Sequence, residues 1–460
     1  MLNEADVRAT LTAALASGGD WSEVYAERRD STSLSLADHR VEAISSGRDI
    51  GAGVRVAKGA QSAYAYTNVL SRDSLLAAAR AAAAGLRDDG RAAVADLTRA
   101  VPASMHPARI DPADIETATK VALARRAEEG AWSAGADVRQ VMISYVDTTQ
   151  RVFLANSLGH LSDTVRVRTR LAAQVVAARD DLVQTGFEGP GAAKGWELYD
   201  EVDAAEVGAL AAGRALRLLD SRPAPAGEMT VVLNAGGAGV LFHEACGHGL
   251  EGDGIAKDTS VYARTAGQQV GSALFSGVDD ASMTGEWGSF SFDDEGVPGQ
   301  RTVLFDAGVQ VGRMTDRISA NKLGCEVTGN GRRQSYAHVP QPRMTNSIVL
   351  PGTSDPAAII ADVKYGLYAD GLGGGEVNPA TGDFVFGVTE AYLIEDGALT
   401  ARVRGANLIG NGQQAIALVD AVGTDFAMKQ GMCGKGGQWV PVGFGTPTLR
   451  IARLTIGGTG

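Results

Sequence analysis

The chain has 460 residues, of which 45% are hydrophobic and 21% are charged, and its formal net charge is −12. This composition is typical of a globular protein with a large buried core, and the length suits two to three domains. The acidic balance and the lack of any Lys/Arg-rich run argue against a nucleic-acid partner.

The cysteine content and the apolar tracts indicate the cellular compartment of the protein. The three cysteines, Cys246, Cys325 and Cys433, are too few and too widely spaced for a disulfide framework. The first residues have no basic stretch followed by an apolar run, so we expect no signal peptide. The alanine-rich tract "SLLAAARAAAAGL" is too short for a membrane span and contains Arg80. We therefore expect a cytoplasmic protein with no membrane contact.

The N-terminal half is predicted to alternate helices with strands. Three helices should begin at capping residues: one at Asn3, running to about Ser17, one at Ser71, and one at the pair Asp111-Pro112, reaching about residue 133. Between the first two helices, "WSEVYAERRD" is predicted to be extended, and "GAGVRVAKGAQSAYAYT" to be two strands joined by a turn. A fourth helix is expected from about residue 204 to residue 219.

The clearest strands precede this fourth helix. The segments "VRQVMISYV" and "QRVFLA" are separated by a short polar stretch, which predicts a turn between two strands. In "TVRVRTRLAAQVV", apolar residues alternate with Arg166, Arg168 and Arg170. This alternation predicts an antiparallel sheet with one buried face and one solvated face that carries the arginines.

The proline-rich stretch "DSRPAPAG" at residues 220–227 is the best candidate for a domain boundary. We predict an N-terminal α+β domain over residues 1–222 and a C-terminal domain over residues 223–460. The second half is glycine-rich and has many short alternating runs, with hairpin turns expected at "DAG" and "EDG". The predicted class is therefore α+β with two domains, of which the second is rich in antiparallel sheet and contains the motif helix described next.

The stretch "VLFHEACGHGLEGD" carries His243, Glu244 and His248. It is one residue longer than the zinc-peptidase signature H-E-x-x-H, in which histidines four apart lie about 40° apart around a helix. At a spacing of five, a regular helix would place the two rings about 140° apart. A metal site therefore requires either a π-bulge or a helix break at Gly247, and the neighbouring glycines favour such distortions. Otherwise the histidines would cap the helix or fill the core.

If the motif binds a metal, zinc would have two imidazole ligands, a third protein ligand and a water. Glu244 would then act as the general base on that water and pass the proton to the leaving amine. The candidates for the third ligand are Cys433, Cys325, Cys246, His338, Glu251 and Asp253. Cys433 lies in the glycine-rich stretch "QGMCGKGGQWVPVG", which suits a tight loop at a metal, although each cysteine could equally be a small buried residue.

Two further stretches are candidate substrate-binding segments. In "TGNGRRQSYAHVPQPRMTNS", Arg332, Arg333, Tyr336 and His338 could bind a carboxylate or stabilise an oxyanion. Alternatively, this stretch is simply a solvated loop. In "YADGLGGGEVNPATGDF", glycines that include Gly374 and Gly375 would let a peptide approach the backbone closely. This stretch lacks the Lys-Ser/Thr ending of a phosphate-binding P-loop.

Taken together, "FHEACGHGLEGD", "FDDEGVPGQ", "GNGRRQSY", "GGGEVNPATGDFVFGVTEAYLI" and "GMCGKGGQWVPVGFGTPTL" resemble the TldD/PmbA family of metallopeptidases. The N-terminal "ISSGRDIGAGVRVAKGAQSAYAYTN" is also similar, so the resemblance covers nearly the whole chain. It implies that His243, His248 and Cys433 bind one Zn²⁺ and that Glu244 is the catalytic base. A cysteine at position 246 departs from the apolar residue expected there.

The resemblance also implies a two-domain α+β protein that forms a dimer around a cavity, with either a PmbA/TldE-like paralogue or a second copy of itself. The implied substrates are unstructured peptides, including precursor peptides that are trimmed during maturation, and binding as an added β-strand would suit the many sheet edges. The predicted function is thus a zinc-dependent peptidase. Two alternatives stay open: a non-catalytic peptide-binding subunit, and a hydrolase with Cys433 as nucleophile and His338 as base.

Overall fold

A computed structural model describes residues 2–86, 92–103, 105–106, 108–237 and 239–458. The elements of the first half are helices α1 (Glu4–Ala14), α2 (Arg72–Gly85), α3 (Thr117–Ser133) and α4 (Ala204–Leu219), and strands β1 (Trp21–Ala37), β2 (Arg40–Lys58), β3 (Gln61–Thr67), β4 (Thr98–Arg99), β5 (Val138–Asn156), β6 (His160–Arg179), β7 (Leu182–Glu188) and β8 (Gly191–Ala192). Single 3₁₀ turns lie at Pro112–Asp114 and Trp196–Asp200.

The second half is built mainly from shorter strands. They are β9 (Arg222–Pro223), β10 (Gly227–Leu233), β11 (Gly277–Asp280), β12 (Arg301–Asp306), β13 (Val309–Gln310), β14 (Gly331–Arg332), β15 (Gln341–Pro342), β16 (Asn346–Val349), β17 (Tyr365–Val377), β18 (Asp383–Glu395), β19 (Ala398–Arg404), β20 (Asn407–Asn411), β21 (Val419–Val422), β22 (Ala427–Lys435), β23 (Gln438–Thr446) and β24 (Leu449–Gly457). The helices are α5 (Gly239–Phe242), α6 (Gly252–Ala256), α7 (Arg317–Leu323), α8 (Pro356–Ala361) and α9 (Gly412–Ala417).

The first half forms one twisted sheet with the strand order β3-β2-β1-β5-β6-β4, in which β7 and β8 also pair with β6. All of its pairings are antiparallel except that of β4 with β6. Apolar side chains of α1 and α2 pack on one end of this sheet, and those of α3 and α4 on the other. Both helix pairs use the face on which alternate residues such as Val24 and Leu34 point.

The second half contains two larger sheets. One has the order β17-β10-β24-β20-β18-β19-β9, and β17 also pairs with β18, which closes five strands into a ring. The other has the order β13-β12-β11-β16-β23-β22, so β22 is an edge strand. Both sheets contribute to one apolar core. This mixture of helices with largely antiparallel sheets confirms the predicted α+β class, and the predicted hairpin turns at "DAG" and "EDG" join β12 to β13 and β18 to β19. The boundary at residue 222 stays a prediction.

Two of the predicted helix caps are confirmed and one helix start is wrong. The side chain of Asn3 accepts a hydrogen bond from the backbone N–H of Asp6, and that of Ser71 accepts one from Ser74. Asp111 caps only a single 3₁₀ turn, and α3 begins six residues later, at Thr117. None of the helices among the described residues combines the length and apolar character needed to cross a lipid bilayer.

The turn predicted within residues 138–156 is wrong, because β5 runs unbroken through the polar stretch. Asp147 is buried there and accepts hydrogen bonds from Lys120 Nζ at 2.5 Å and from the Tyr145 hydroxyl at 2.7 Å. Thr149 is also buried and donates to Asp111 at 2.6 Å. Polar residues can lie in a buried strand when each forms a hydrogen bond. The polar stretch therefore does not form a turn here.

The arginine face of β6 is not solvated as predicted. Arg166 and Arg168 are each only 8% exposed, because residues 287–294 of the second half cover them. Arg166 donates to an Asp294 carboxylate oxygen at 2.8 Å, and Arg168 donates to the backbone carbonyl of Trp287 at 2.8 Å. This face of the sheet is therefore a polar interface between the two halves of the chain.

A histidine lies in the same interface. The Nδ1 atom of His106 accepts a hydrogen bond from the backbone N–H of Val167 at 3.2 Å, and its Nε2 atom lies 2.8 Å from the carbonyl oxygen of Ser289. Burial, together with the nearby charge of Arg168, lowers the pKa of this imidazole to about 3. The neutral ring thus forms part of the contact between the halves.

Candidate metal centre

The motif helix changes its winding at the first histidine. Strand β10 leads into α5, which continues as a π-helical turn over His243–Gly247 and ends in a 3₁₀ turn over His248–Leu250. In the π turn, the backbone N–H of His248 donates to the carbonyl oxygen of His243, five residues earlier. The two rings consequently lie on one side, with their centroids 5.3 Å apart. Of the two distortions considered from the sequence, the structure contains the π-bulge.

Glycines allow the distorted helix to pack closely. A Cβ atom at Gly247 would lie 2.0 Å from the sulfur of Met344, and one at Gly249 would lie 2.6 Å from the ring of Tyr262. Both distances are too short for a Cβ atom unless the buried side chain opposite moves. The glycines therefore fix the helix against the core at the point where the histidines converge.

Cys433 brings the third candidate ligand from a distant part of the sequence. It lies on the edge strand β22, opposite Val440 of β23. Its Sγ atom is 3.2 Å from His243 Nε2 and 3.4 Å from His248 Nε2, and the three ligand atoms all lie within 4.8 Å of one another. In a tetrahedral zinc site, ordinary Zn–N and Zn–S bond lengths place nitrogen and sulfur about 3.6 Å apart. The three side chains therefore fit a metal ion of this kind.

The electrostatics of the cluster favour a metal-binding thiolate. Burial raises the pKa of the Cys433 thiol, but the adjacent imidazoles of His243 and His248 outweigh this effect and lower the pKa to about 4. Because the thiolate is the form of cysteine that binds metals, the site presents its sulfur in the required state. His243 is further held by Ser347, whose Oγ atom lies 3.4 Å from its Nδ1 atom.

Glu244 lies at the more open side of this cluster. Its side chain is 23% exposed, and its Oε2 atom is 3.6 Å from His248 Nε2. The residue one helical turn earlier, Val240, lines a cleft of about 980 Å³. The motif helix therefore reaches the wall of the cleft one turn before Glu244, whose carboxylate lies beside the ligand atoms.

A buried carboxylate, Glu251, connects the histidine helix to the cysteine strand. Its Oε2 atom lies 3.1 Å from His248 Nδ1 and 2.9 Å from Lys435 Nζ, and its Oε1 atom is 3.9 Å from Arg343 Nε. Although burial raises the pKa of Glu251, Lys435, His248 and Arg343 lower it to about 2. Lys435 follows Cys433 by two residues, and Arg343 donates to the Cys433 carbonyl oxygen at 2.5 Å. The anion therefore holds both ligand segments.

From the sequence, Glu251 was a candidate metal ligand only, and its position between the two ligand segments was not predicted. The i+3 spacing from His248 was the available signal, because it places two side chains on one side of a helical turn. Asp253 is likewise not part of the ligand cluster and accepts a hydrogen bond from Lys435 at 2.6 Å.

The other predicted ligand candidates lie apart from the cluster. Cys246 is fully buried, and its sulfur is 3.4 Å from the hydroxyl of Tyr262. Cys325 is exposed, which corrects the prediction of a buried residue. His338 Nδ1 lies 2.8 Å from Ser335 Oγ. Among the described residues, only His243, His248 and Cys433 form a group of three that could hold a metal ion.

The loop predicted to bind substrate makes internal contacts between the two halves. Arg332 is 4% exposed and donates to the carbonyl oxygens of Met344 and Pro441. Arg333, also 4% exposed, donates to a Glu23 carboxylate oxygen at 2.6 Å. These guanidinium groups are committed to partners within the protein, so their predicted role in substrate binding has no support in these contacts.

The remaining predicted substrate-binding residues occupy three different settings. Tyr336 extends to the first sheet, where its hydroxyl donates to Asp49 at 3.2 Å. Gly374 lines the cleft beside the candidate centre. Gly375 does not line it, and a Cβ atom there would lie 2.0 Å from the ring of Phe386. Of the two glycines, Gly374 is the one placed to face a bound molecule.

A buried His₂Cys cluster with an adjacent carboxylate, on a mixed α/β fold with two distinct halves, is an arrangement that defines a candidate metallohydrolase. Three family models match in succession: "PmbA/TldA metallopeptidase domain 1" over residues 22–85, the central domain over 110–219 and the C-terminal domain over 226–458. The chain belongs to this PmbA/TldD metallopeptidase family.

Relatives match over essentially the full length. The metalloprotease TldD homolog of Haemophilus influenzae is 37% identical over 450 residues, which cover 96% of this chain and 93% of that protein. The metalloprotease TldD homolog of Buchnera aphidicola subsp. Acyrthosiphon pisum is 33% identical over 468 residues, covering 100% and 97%. The crystal structure of TldE from Thermococcus kodakarensis has the same fold, with a TM-score of 0.76 over 99% of both chains at 18% identity.

Proposed function

We propose that this chain is a zinc-dependent peptidase that hydrolyses short or unfolded peptides, including precursor peptides that require trimming. The convergence of His243, His248 and Cys433, with the partly exposed carboxylate of Glu244 lying 3.6 Å from His248 Nε2, is the observation that carries the proposal. The metalloprotease names of its relatives support the same conclusion.

In the proposed mechanism, His243, His248 and Cys433 hold one zinc ion. When bound, zinc supplies Lewis acidity, which polarises a peptide carbonyl and makes water more acidic. Glu244 removes a proton from the attacking water and then donates it to the leaving amine, as a general base and then a general acid. The partial exposure of Glu244 lets it reach both water and substrate, whereas the buried side chains of His243 and Cys433 stay fixed.

The edge strand β22 gives a way to position an extended peptide. Among the strands of the described residues it pairs with β23 alone, so its other edge has backbone groups available for a peptide to bind as an additional strand. Residues 428–430 of this strand line the cleft, and Cys433 follows three residues later. Recognition through backbone hydrogen bonds would depend little on side chains, which suits unfolded substrates.

The decisive experiment combines metal content with two substitutions. Elemental mass spectrometry should find about one zinc per chain in the unmodified protein, and Cys433→Ala should lose it. Cys246→Ala is the matched control, because that buried thiol lies outside the ligand cluster and should leave the zinc content unchanged. Glu244→Ala should keep zinc but lose cleavage of a denatured test peptide. Retained cleavage in Glu244→Ala would contradict the proposed role of Glu244.

A second candidate function is a cysteine-dependent hydrolase. The lowered pKa of Cys433 and the 3.2 Å distance to His243 favour it, whereas the pairing of Cys433 with His338 predicted from the sequence finds no support, since His338 contacts Ser335. A thiol nucleophile would be insensitive to chelators and would survive Glu244→Ala, so the same assay separates the two functions.

We further propose that the chain acts as a dimer in the cytoplasm, with a PmbA/TldE-like paralogue or with itself. Apolar side chains at the end of the β22–β23 hairpin support a partner there, since Met432 is 47% exposed and Trp439 is 58% exposed. Light scattering of the chain alone and with a co-expressed paralogue would decide between the two assemblies. A monomer under both conditions would contradict the proposal.

A further inference from the structure

The charge of the cleft differs from that of the whole chain. The chain has 54 acidic and 42 basic residues. By contrast, the described residues of the cleft wall include four cationic side chains and two carboxylates. The cations are Arg170, Arg214, Arg404 and Lys429, and the carboxylates are Glu188 and Asp370. Glu188 already pairs with Arg214 at 2.6 Å. The remaining cations therefore give this part of an acidic protein a local positive charge.

Arg170 differs from its neighbours on the same face of β6. Arg166 and Arg168 have partners in the second half of the chain, but within the described part of the chain no hydrogen bond or ion pair reaches the guanidinium of Arg170. Its Nε atom is buried without a partner, and its guanidinium carbon lies over the ring of Phe187, 5.6 Å from the ring centre. An unpaired cation in such a setting is costly unless an anion joins it.

The position of Arg170 connects it to the strand that carries Cys433. A Cβ atom on Gly189 would lie 3.1 Å from Arg170 Nη2, and the carbonyl oxygen of the same glycine accepts a hydrogen bond from the Gln430 side chain at 2.5 Å. Gln430 precedes Cys433 by three residues, which is about 10 Å along an extended strand. An anion at Arg170 would therefore lie a few peptide units from the candidate metal centre.

We propose that Arg170, supported by Arg404 and Lys429, binds a carboxylate of the peptide that occupies the cleft. This inference deepens the proposed function, since it assumes that the cleft holds the substrate. The carboxylate belongs either to the C-terminus of the peptide or to an Asp or Glu side chain several residues from the bond that is cut. Guanidinium is suited to either source because it can donate two parallel hydrogen bonds to one carboxylate.

The test measures binding, so it does not depend on cleavage. The full chain carrying Glu244→Ala is titrated against four fluorescent peptides of eight residues, built from Gly, Ser and Thr and labelled at the N-terminus. One has a free C-terminus and one is amidated; two further amidated peptides contain a single Glu or a single Gln. Fluorescence anisotropy at low salt gives each dissociation constant, and added salt tests whether the preference is ionic.

We expect at least one carboxylate peptide to bind about tenfold more tightly than its neutral counterpart, a factor equivalent to about 1.4 kcal/mol. The C-terminal pair and the Glu/Gln pair distinguish the two sources. Arg170→Gln should abolish the preference, and Arg170→Lys should retain part of it. Arg453→Gln, which removes an exposed arginine outside the cleft wall, should leave it unchanged.

Equal binding of charged and neutral peptides, a preference that survives in Arg170→Gln, or no binding of any of the four would overturn the inference. Thermal unfolding of each variant checks that the fold is intact. The proposed function is tested separately by zinc content and cleavage. An unmodified chain without peptidase activity that still prefers the carboxylate peptides would refute the peptidase and leave the carboxylate site standing.

Discussion

Substitution of Glu251 tests whether the bridge between the two ligand segments controls metal binding. Glu251→Gln keeps the size of the side chain and an acceptor for His248 Nδ1, but it removes the negative charge between His248, Lys435 and Arg343. Replacement of a group that orients a metal-binding histidine typically weakens metal affinity by about 10- to 100-fold, or about 1.4–2.7 kcal/mol.

The structure places the Gln variant near the lower end of this range and Glu251→Ala near the upper end. In the Gln variant, Lys435 keeps Asp253 as a partner at 2.6 Å, so the cation does not become unpaired. In the Ala variant, His248 also loses the acceptor that fixes its ring. We therefore expect zinc affinity to fall by about tenfold in Glu251→Gln and by about 100-fold in Glu251→Ala.

Competition with a chromophoric zinc chelator at pH 7.5 measures these affinities directly. Glu326→Gln is the matched control, because this carboxylate is exposed and should leave zinc affinity unchanged. Urea unfolding of the metal-free chains shows whether each variant is folded. Unchanged zinc affinity in both Glu251 variants, with intact unfolding transitions, would refute the idea that Glu251 positions His248.

Three further predictions concern stability, each measured by urea unfolding. A Cβ atom at Gly208 would lie 1.8 Å from a backbone oxygen of α3, so Gly208→Ala should destabilise the chain by about 1–3 kcal/mol. In the control variant Gly213→Ala, in the same helix, the new Cβ atom meets only a flexible arginine. An equally large loss of stability in Gly213→Ala would contradict the packing explanation. Lys120→Met should cost about 3–5 kcal/mol, because it leaves the buried Asp147 carboxylate with the Tyr145 hydroxyl but without a cation. Adding Asp147→Asn should recover part of this loss, and no recovery would show that the charge is not the cause. The pKa of His106 is lowered to about 3 in the folded state, so its contribution to the free energy of unfolding is present above pH 6.5 and is lost as the pH falls towards 3. The loss between pH 7.5 and 5.5 is about 1.4 kcal/mol. His106→Gln should remove that part of the acid sensitivity, and an unchanged pH dependence would refute the assignment.

Local sequence patterns determined much of the secondary structure. Caps at Asn3 and Ser71, the helix at residues 204–219 and the two hairpin turns depend on interactions between residues that are close in sequence. The spacing of His243 and His248 likewise required a distorted helix if the two rings were to converge, and the structure contains one. These features are local, so the sequence was sufficient to predict them.

Only the tertiary structure decided which polar residues are buried. Asp147 lies within a strand because Lys120 and Tyr145 satisfy it, and Arg166 is buried because Asp294 reaches it from the other half of the chain. A period-two pattern shows which residues share a face of a strand, but it cannot show what covers that face.

The candidate centre depends on the same long-range information. Cys433 and His248 are 185 residues apart in sequence, yet their sulfur and nitrogen atoms are 3.4 Å apart. From the residues alone, six side chains were open as the third ligand, and only the family resemblance selected Cys433. The position of Glu251 between the two ligand segments follows from how β22 packs beside the motif helix. The position of Arg170, which is unpaired among the described residues, follows from how β6 lies near β22. Such contacts arise from packing between distant segments, for which no local periodicity exists.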